Sequence, residues 1–228
     1  MIWILFLGTF VTSLLAAARV KSNYLRFARV AASSGLTGAE AALEILRHAN
    51  IDDVEVIPHD GLLADHYDPL HKRLVLSTDN YFGRSVAALG VAAHEAGHAI
   101  QHAQAYLPLQ LRMAAVGLTT FASQVVMWLP LFGMVTGLLS TYTGLMVMAV
   151  SWGVIMAFNL ITLPVEFDAS RRAKQTVLRM GLVAPGTEAD GVNKVLNAAA
   201  WTYVAAFLTS LAYFLWFLLP LLSGQRRD

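Results

Sequence analysis

His94 and His98 stand four residues apart, with Glu95 between them, in the run His94-Glu95-Ala96-Gly97-His98. On a helix this spacing puts both imidazoles on one face, one turn apart, where they can share a single metal ion. Glu95 then sits close enough to hold a water that the ion polarises. Zinc suits the pattern: it lowers the pKa of bound water from about 15.7 to about 7 and polarises a scissile carbonyl. A glutamate in this place takes the proton as general base and passes it to the leaving amine. The chemistry implied is hydrolysis of a peptide bond, with one Zn2+ ion as cofactor and a polypeptide as substrate. The chain has no cysteine, so any metal must be held by His, Asp and Glu, a donor set that also admits manganese or cobalt.

A catalytic zinc usually has three protein ligands and one open position. His102 lies a further turn along, and a straight helix cannot bring three such rings to one ion. It is read instead as a residue supporting the site from behind or lining an interface. The metzincin pattern would need Gly at 101 and His at 104, where this chain has Gln101 and Gln104. Glu166 is the better third ligand. It is the first charge after a long uncharged stretch, in Pro164-Val165-Glu166-Phe167-Asp168-Ala169-Ser170. Its competing role is that of a carboxylate at a helix N-terminus beside Pro164, favourable to the macrodipole.

Helical periodicity predicts that the motif lies on a helix over residues 85–106, halted by Pro108. Val86, Leu89, Ala93, Gly97 and Ile100 form its apolar stripe. His94, His98, Gln101 and His102 fall on the adjoining face, and Ala96 and Gly97 leave room for a second backbone. Upstream, Thr37 and Glu40 fit a capping box that opens a helix over 38–49. Val54 and Val56 read as a short strand stopped by Pro58. Residues 62–67 and Arg73–Ser77 flank Asp68-Pro69-Leu70-His71-Lys72 as the two arms of a hairpin.

The surroundings are a membrane protein's. Of 228 residues 57% are hydrophobic and 14% charged, against roughly 25% charged in a soluble domain. The charges crowd into 19–112 and 165–194, and none falls in 113–164 or 196–225. A bilayer is crossed by about 20 apolar residues of helix, which predicts four spans at approximately 1–18, 114–137, 143–164 and 198–222. The basic run Arg19, Lys21, Arg26 and Arg29 follows the first apolar segment, so that segment reads as a retained anchor with its C-terminal end in the cytoplasm. Two spans between His98 and Glu166 return the chain to the same side, and Arg112, Arg171, Arg172, Lys174 and Arg179 then also lie inside. Arg226 and Arg227 dissent, because four spans place them outside. A net charge of +1 and the lack of a basic, aromatic-interleaved patch exclude a nucleic-acid partner.

The expected organisation is therefore a mostly α membrane protein, with about four transmembrane helices and a small α+β zincin-like cytoplasmic domain. An anchor at 1–18 precedes a catalytic domain at 19–112. Two spans occupy 113–164, a cytoplasmic segment with the third ligand occupies 165–197, and a last span covers 198–222. Small-residue faces on the spans permit association with another membrane protein or a second copy.

Residues Ser34-Gly35-Leu36-Thr37-Gly38-Ala39-Glu40, His66-Tyr67-Asp68-Pro69, Gly83-Arg84-Ser85-Val86-Ala87-Ala88, His94 to His102 and Glu166-Phe167-Asp168-Ala169-Ser170 together resemble the YugP-like family of bacterial membrane zinc peptidases. The resemblance implies a gluzincin-type site with His94, His98 and Glu166 as ligands, Glu95 as base, and a bacterial plasma-membrane location. Membrane gluzincins resembling HtpX carry Asp four residues after the ligand Glu. Here that position is Ser170, with Asp168 two residues after Glu166, so either could support the ligands. Zincins of this kind place an edge strand beside the active helix, and Arg73–Ser77 is expected in that role. His66, Tyr67 and Tyr81 are candidates to stabilise the oxyanion.

Two other readings compete. An intramembrane site-two-type protease also uses a His-Glu-x-Gly-His run, but inside a membrane span. A non-catalytic scaffold could keep zinc for structure, although such sites generally have four ligands and usually include cysteine.

Overall fold

The computed structural model describes residues 2–61 and 64–223. Leu62 and Leu63 of the expected hairpin, and Arg226 and Arg227, lie outside the described residues. In chain order the elements are α1 (Ile2–Phe27), α2 (Gly38–His48), β1 (Glu55–His59), β2 (His66–Asp68), β3 (Arg73–Ser77), α3 (Thr78–Tyr81), α4 (Val86–Ala103), α5 (Leu107–Thr136), a 3-10 turn (Leu138–Ser140), α6 (Tyr142–Arg179) and α7 (Thr187–Leu222). Four of the helices, α1, α5, α6 and α7, are long and apolar enough to cross a membrane. The chain divides into two compact units.

One unit comprises Met1–Leu14, Gln110–Leu163 and Tyr203–Asp228. Here α6 and α7 pack through a stacked pair, Trp152 on Tyr213, with ring centroids 4.5 Å apart. Asn159 donates to the Ser210 hydroxyl at 3.0 Å and to the Ala206 carbonyl at 3.2 Å. Where no water competes, such a side-chain bond between helices supplies what hydrophobic burial cannot. Gly137, at φ +72, releases the chain from α5 into the 3-10 turn that leads to α6.

The other unit comprises Leu15–Leu109 and Pro164–Thr202. Its helix α2 opens on the expected capping box: the Thr37 hydroxyl accepts from the Glu40 N–H at 3.1 Å, and Glu40 accepts from the Thr37 N–H at 2.7 Å. A cap of this kind stabilises a helix by about 1 kcal/mol. Ala41, Ala42, Ile45 and Leu46 are thereby pointed into a core shared with Leu74, Leu76, Val86, Leu89, Ala92, Ala93, Val177 and Val192. Ser85 caps α4 by accepting from the Ala88 N–H.

Three sequence expectations are corrected. The strand Arg73–Ser77 is not an edge: the sheet order is β1-β3-β2, with β3 parallel to β1 and antiparallel to β2. Leu74, Val75 and Leu76 are all buried, so both faces of this strand are covered. The open edge nearest the hairpin is β2. Pro58 does not stop β1, which continues to His59, since an edge strand tolerates a missing N–H. Pro108 does not halt α4, which ends at Ala103 before Ala105 turns left-handed at φ 50. It belongs to the first turn of α5, where proline's missing donor costs nothing.

Pro164 likewise fails to divide α6. The helix runs from Tyr142 to Arg179 through it, so Glu166 lies in a helix interior and not at an N-terminus. Its carboxylate is not there to cap a dipole.

Candidate metal centre

The site is built where α4 meets the second half of α6. The contacts pair His94 with Ser170, Gly97 with Ala169, His98 with Glu166, and Gln101 with Val165. As α4 advances, α6 retreats, so the two helices pass antiparallel. Gly97 makes the close approach possible: a Cβ there would stand 2.9 Å from the Ala169 carbonyl oxygen. Ala93, Ala96, Ala169 and Ala173 are all buried around it.

This approach delivers Glu166 to the two histidines. Its Oε2 lies 3.3 Å from His94 Nε2 and 3.6 Å from His98 Nε2. The imidazole centroids are 4.8 Å apart and nearly perpendicular, at 81°. All three ligand atoms lie within 4.8 Å of one another, the one group among the described residues with metal-binding geometry. Ligands about 2.0–2.1 Å from a tetrahedral zinc are separated by about 3.3 Å, whereas hydrogen bonds close to about 2.7–3.2 Å in most cases. The three atoms are close enough to share one ion. The donor set of two imidazoles and one carboxylate, with a coordination position left over, fits zinc.

Each histidine has a partner for its far nitrogen. His94 Nδ1 meets the Ser170 hydroxyl at 3.2 Å. His98 Nδ1 meets Gln101 Oε1 at 3.0 Å. Gln101 in turn donates to the Val165 carbonyl and to Asp168, each at 2.9 Å. Asp168 is also bonded by Arg171 and by Arg172, the latter at 2.5 Å. Both residues offered for supporting the ligands are thus in the site's surroundings, Ser170 directly behind His94 and Asp168 one residue removed from His98. Glu166 is 1% exposed and Gln101 is fully buried. Burial opposes charge on His98, but its contact with Glu166 and the charges of Glu95 and Glu166 outweigh this and raise its pKa.

Glu95 is buried beside His94 on α4 and makes no side-chain hydrogen bond among the described residues. His102 Nδ1 lies 2.8 Å from the Tyr67 hydroxyl. Burial, with help from Asp53 and Asp68, pushes the Tyr67 pKa up to about 12 and keeps the phenol protonated. Tyr67 and His102 line a cavity of about 550 Å³ with Asp53, Val54, Lys72 and Ala99. His66 is exposed on β2 and bonds the Ala64 carbonyl, and Tyr81 packs edge-on against Phe82. Among the described residues, none of these three oxyanion candidates hydrogen-bonds His94 or His98. Gln101 is the supporting residue that sequence reasoning misses. Its signal is a polar side chain three positions after His98, on a helix otherwise rich in Ala and Val.

The model of a family described as "Putative neutral zinc metallopeptidase" matches residues 2–221. The chain is also similar to "Putative membrane protease YugP" of Bacillus subtilis (strain 168), 48% identical over 210 residues that cover 92% of each chain. No solved structure matches it.

Proposed function

The chain belongs to this family of neutral zinc metallopeptidases, and we propose that it is a membrane endopeptidase of gluzincin type. One zinc would be held by His94, His98 and Glu166, with Glu95 as general base. The observation that carries this reading is the convergence of the three ligand atoms beside a buried carboxylate that makes no hydrogen bond of its own among the described residues. When bound, zinc would supply the Lewis acidity that brings a water to ionise near neutral pH and polarises the substrate carbonyl. Glu95 takes the proton of the attacking water and returns it to the departing amine. Ser170 and Asp168 support the ligand histidines, and His102 acts through Tyr67.

A polypeptide substrate would lie along the open edge of β2, the strand whose Tyr67 reaches α4, and not along Arg73–Ser77. Tyr67, held protonated, is the preferred donor to the developing oxyanion; His66 and Tyr81 are weaker candidates for that role. A bacterial plasma-membrane location with the site on the cytoplasmic side is supported by the basic residues that flank the spans. The intramembrane reading loses ground because α4 is not among the four helices apolar enough to cross a bilayer. A structural zinc would leave Glu95 without a purpose.

The reading is tested on purified full-length protein in detergent. Casein hydrolysis abolished by a chelator and restored by one equivalent of zinc supports it. Hydrolysis indifferent to chelation would overturn it.

A further inference from the structure

We infer that Gln101 is a positioning residue for the metal centre: it fixes which nitrogen of His98 faces the ion and ties that choice to the helix carrying Glu166. The inference rests on the zinc-peptidase reading above.

The assignment follows from donors and acceptors. Gln101 Nε2 faces two groups that can only accept, the Val165 carbonyl and the Asp168 carboxylate, each at 2.9 Å. Arg171 and Arg172 donate to the same Asp168 carboxylate. The nitrogen end of the amide must therefore point at α6, which leaves Oε1 toward His98, 3.0 Å from its Nδ1. An amide oxygen has no proton to give, so His98 Nδ1 must carry one. The neutral ring then has its lone pair on Nε2, the atom that faces Glu166. A glutamine does here what a carboxylate or backbone carbonyl does behind other metal-bound histidines. It also does more, because its second end clamps α6 one residue before Glu166. A single fully buried side chain thus sets the tautomer of one ligand and the axial position of another.

Packing alone does not explain the residue. At zero exposure, a leucine of similar size would fill the space without a polar group to satisfy. Glutamine is required only if both of its ends are used.

The test measures zinc affinity by competition with a chromophoric chelator, together with the visible spectrum of the cobalt-substituted protein; neither depends on turnover. Gln101→Leu keeps the volume and removes both bonds, and should weaken zinc binding about 10–100-fold with a distorted cobalt spectrum. Gln101→Met, unbranched like glutamine, removes the same two bonds with a different shape. It should lose zinc affinity to the same extent. The thermal midpoint of each metal-free variant reports folding. Wild-type affinity in Gln101→Leu overturns the inference. Should that variant not fold, Gln101→Met decides alone: a loss of tenfold or more supports the inference, and affinity near wild type overturns it. A wild-type protein that binds no zinc would instead remove the peptidase reading itself, and the inference with it.

Discussion

Gly97 of α4 and Ala169 of α6 meet backbone to backbone, and a Cβ on Gly97 would lie 2.9 Å from the Ala169 carbonyl oxygen and 3.3 Å from its Cα. At this point no side chain separates the helix that carries the two histidines from the helix that carries the carboxylate. The distances of 3.3 and 3.6 Å from Glu166 to the imidazoles follow from that contact.

Gly97→Ala should therefore push the helices apart just where the ligands converge. Overpacking of this kind costs about 1–3 kcal/mol of stability, and displacing a reacting group by about 1 Å costs about 100-fold in rate. We expect a lowered thermal midpoint together with weakened zinc binding, measured by calorimetry and metal competition. Normal zinc affinity in Gly97→Ala would mean that α6 is positioned by something other than this contact.

How much of this is legible in the sequence depends on range. The spacing of His94, Glu95 and His98 is local, and so are the capping box at Thr37 and the helix that carries the motif. Glu166 stands out because no charge precedes it for more than fifty residues. The continuity of α6 through Pro164 is not legible: proline removes a helix donor and disfavours helix just before it. Nor does the sequence display the partner helix, whose Gln101 bonds the Val165 carbonyl. The sheet order is hidden for a similar reason, since the parallel pairing of β1 with β3 leaps over β2. Gln101 is visible in the sequence as a polar residue on the histidine face and as a departure from the metzincin pattern, but nothing local names its partners on α6.

Zinc binding should depend on pH in a direction set by His98. In the metal-free chain its pKa lies above the ordinary imidazole value, because its contacts with Glu166 and the charge of Glu95 outweigh burial. The bound proton therefore contributes stability that is fully present below the ordinary value of about 6.5 and is lost as pH rises through the raised one. Zinc needs the unprotonated ring and must displace that proton. Affinity should climb as pH rises through the same window, while the thermal midpoint of the metal-free protein falls. A zinc affinity that is flat from about pH 6 to about pH 8 would contradict the assignment of His98 as a ligand.

Tyr67 offers a separate test. Its hydroxyl sits 2.8 Å from His102 Nδ1 and stays protonated with a pKa pushed up to about 12. If it donates to the oxyanion, Tyr67→Phe should lower kcat by about 100- to 1,000-fold and leave zinc content unchanged. His102→Ala, which frees the phenol without removing it, should cost much less. Steady-state kinetics on a quenched peptide distinguishes the two, and an undiminished kcat in Tyr67→Phe would return Tyr67 to a purely structural role.

The central claim is that Glu95 moves the proton while three other residues hold the ion. Metal analysis and peptide hydrolysis measured side by side on Glu95→Gln address it most directly. The expected result is one zinc per chain with hydrolysis reduced about 100- to 10,000-fold. Zinc lost together with activity, or activity retained with zinc in place, would contradict it.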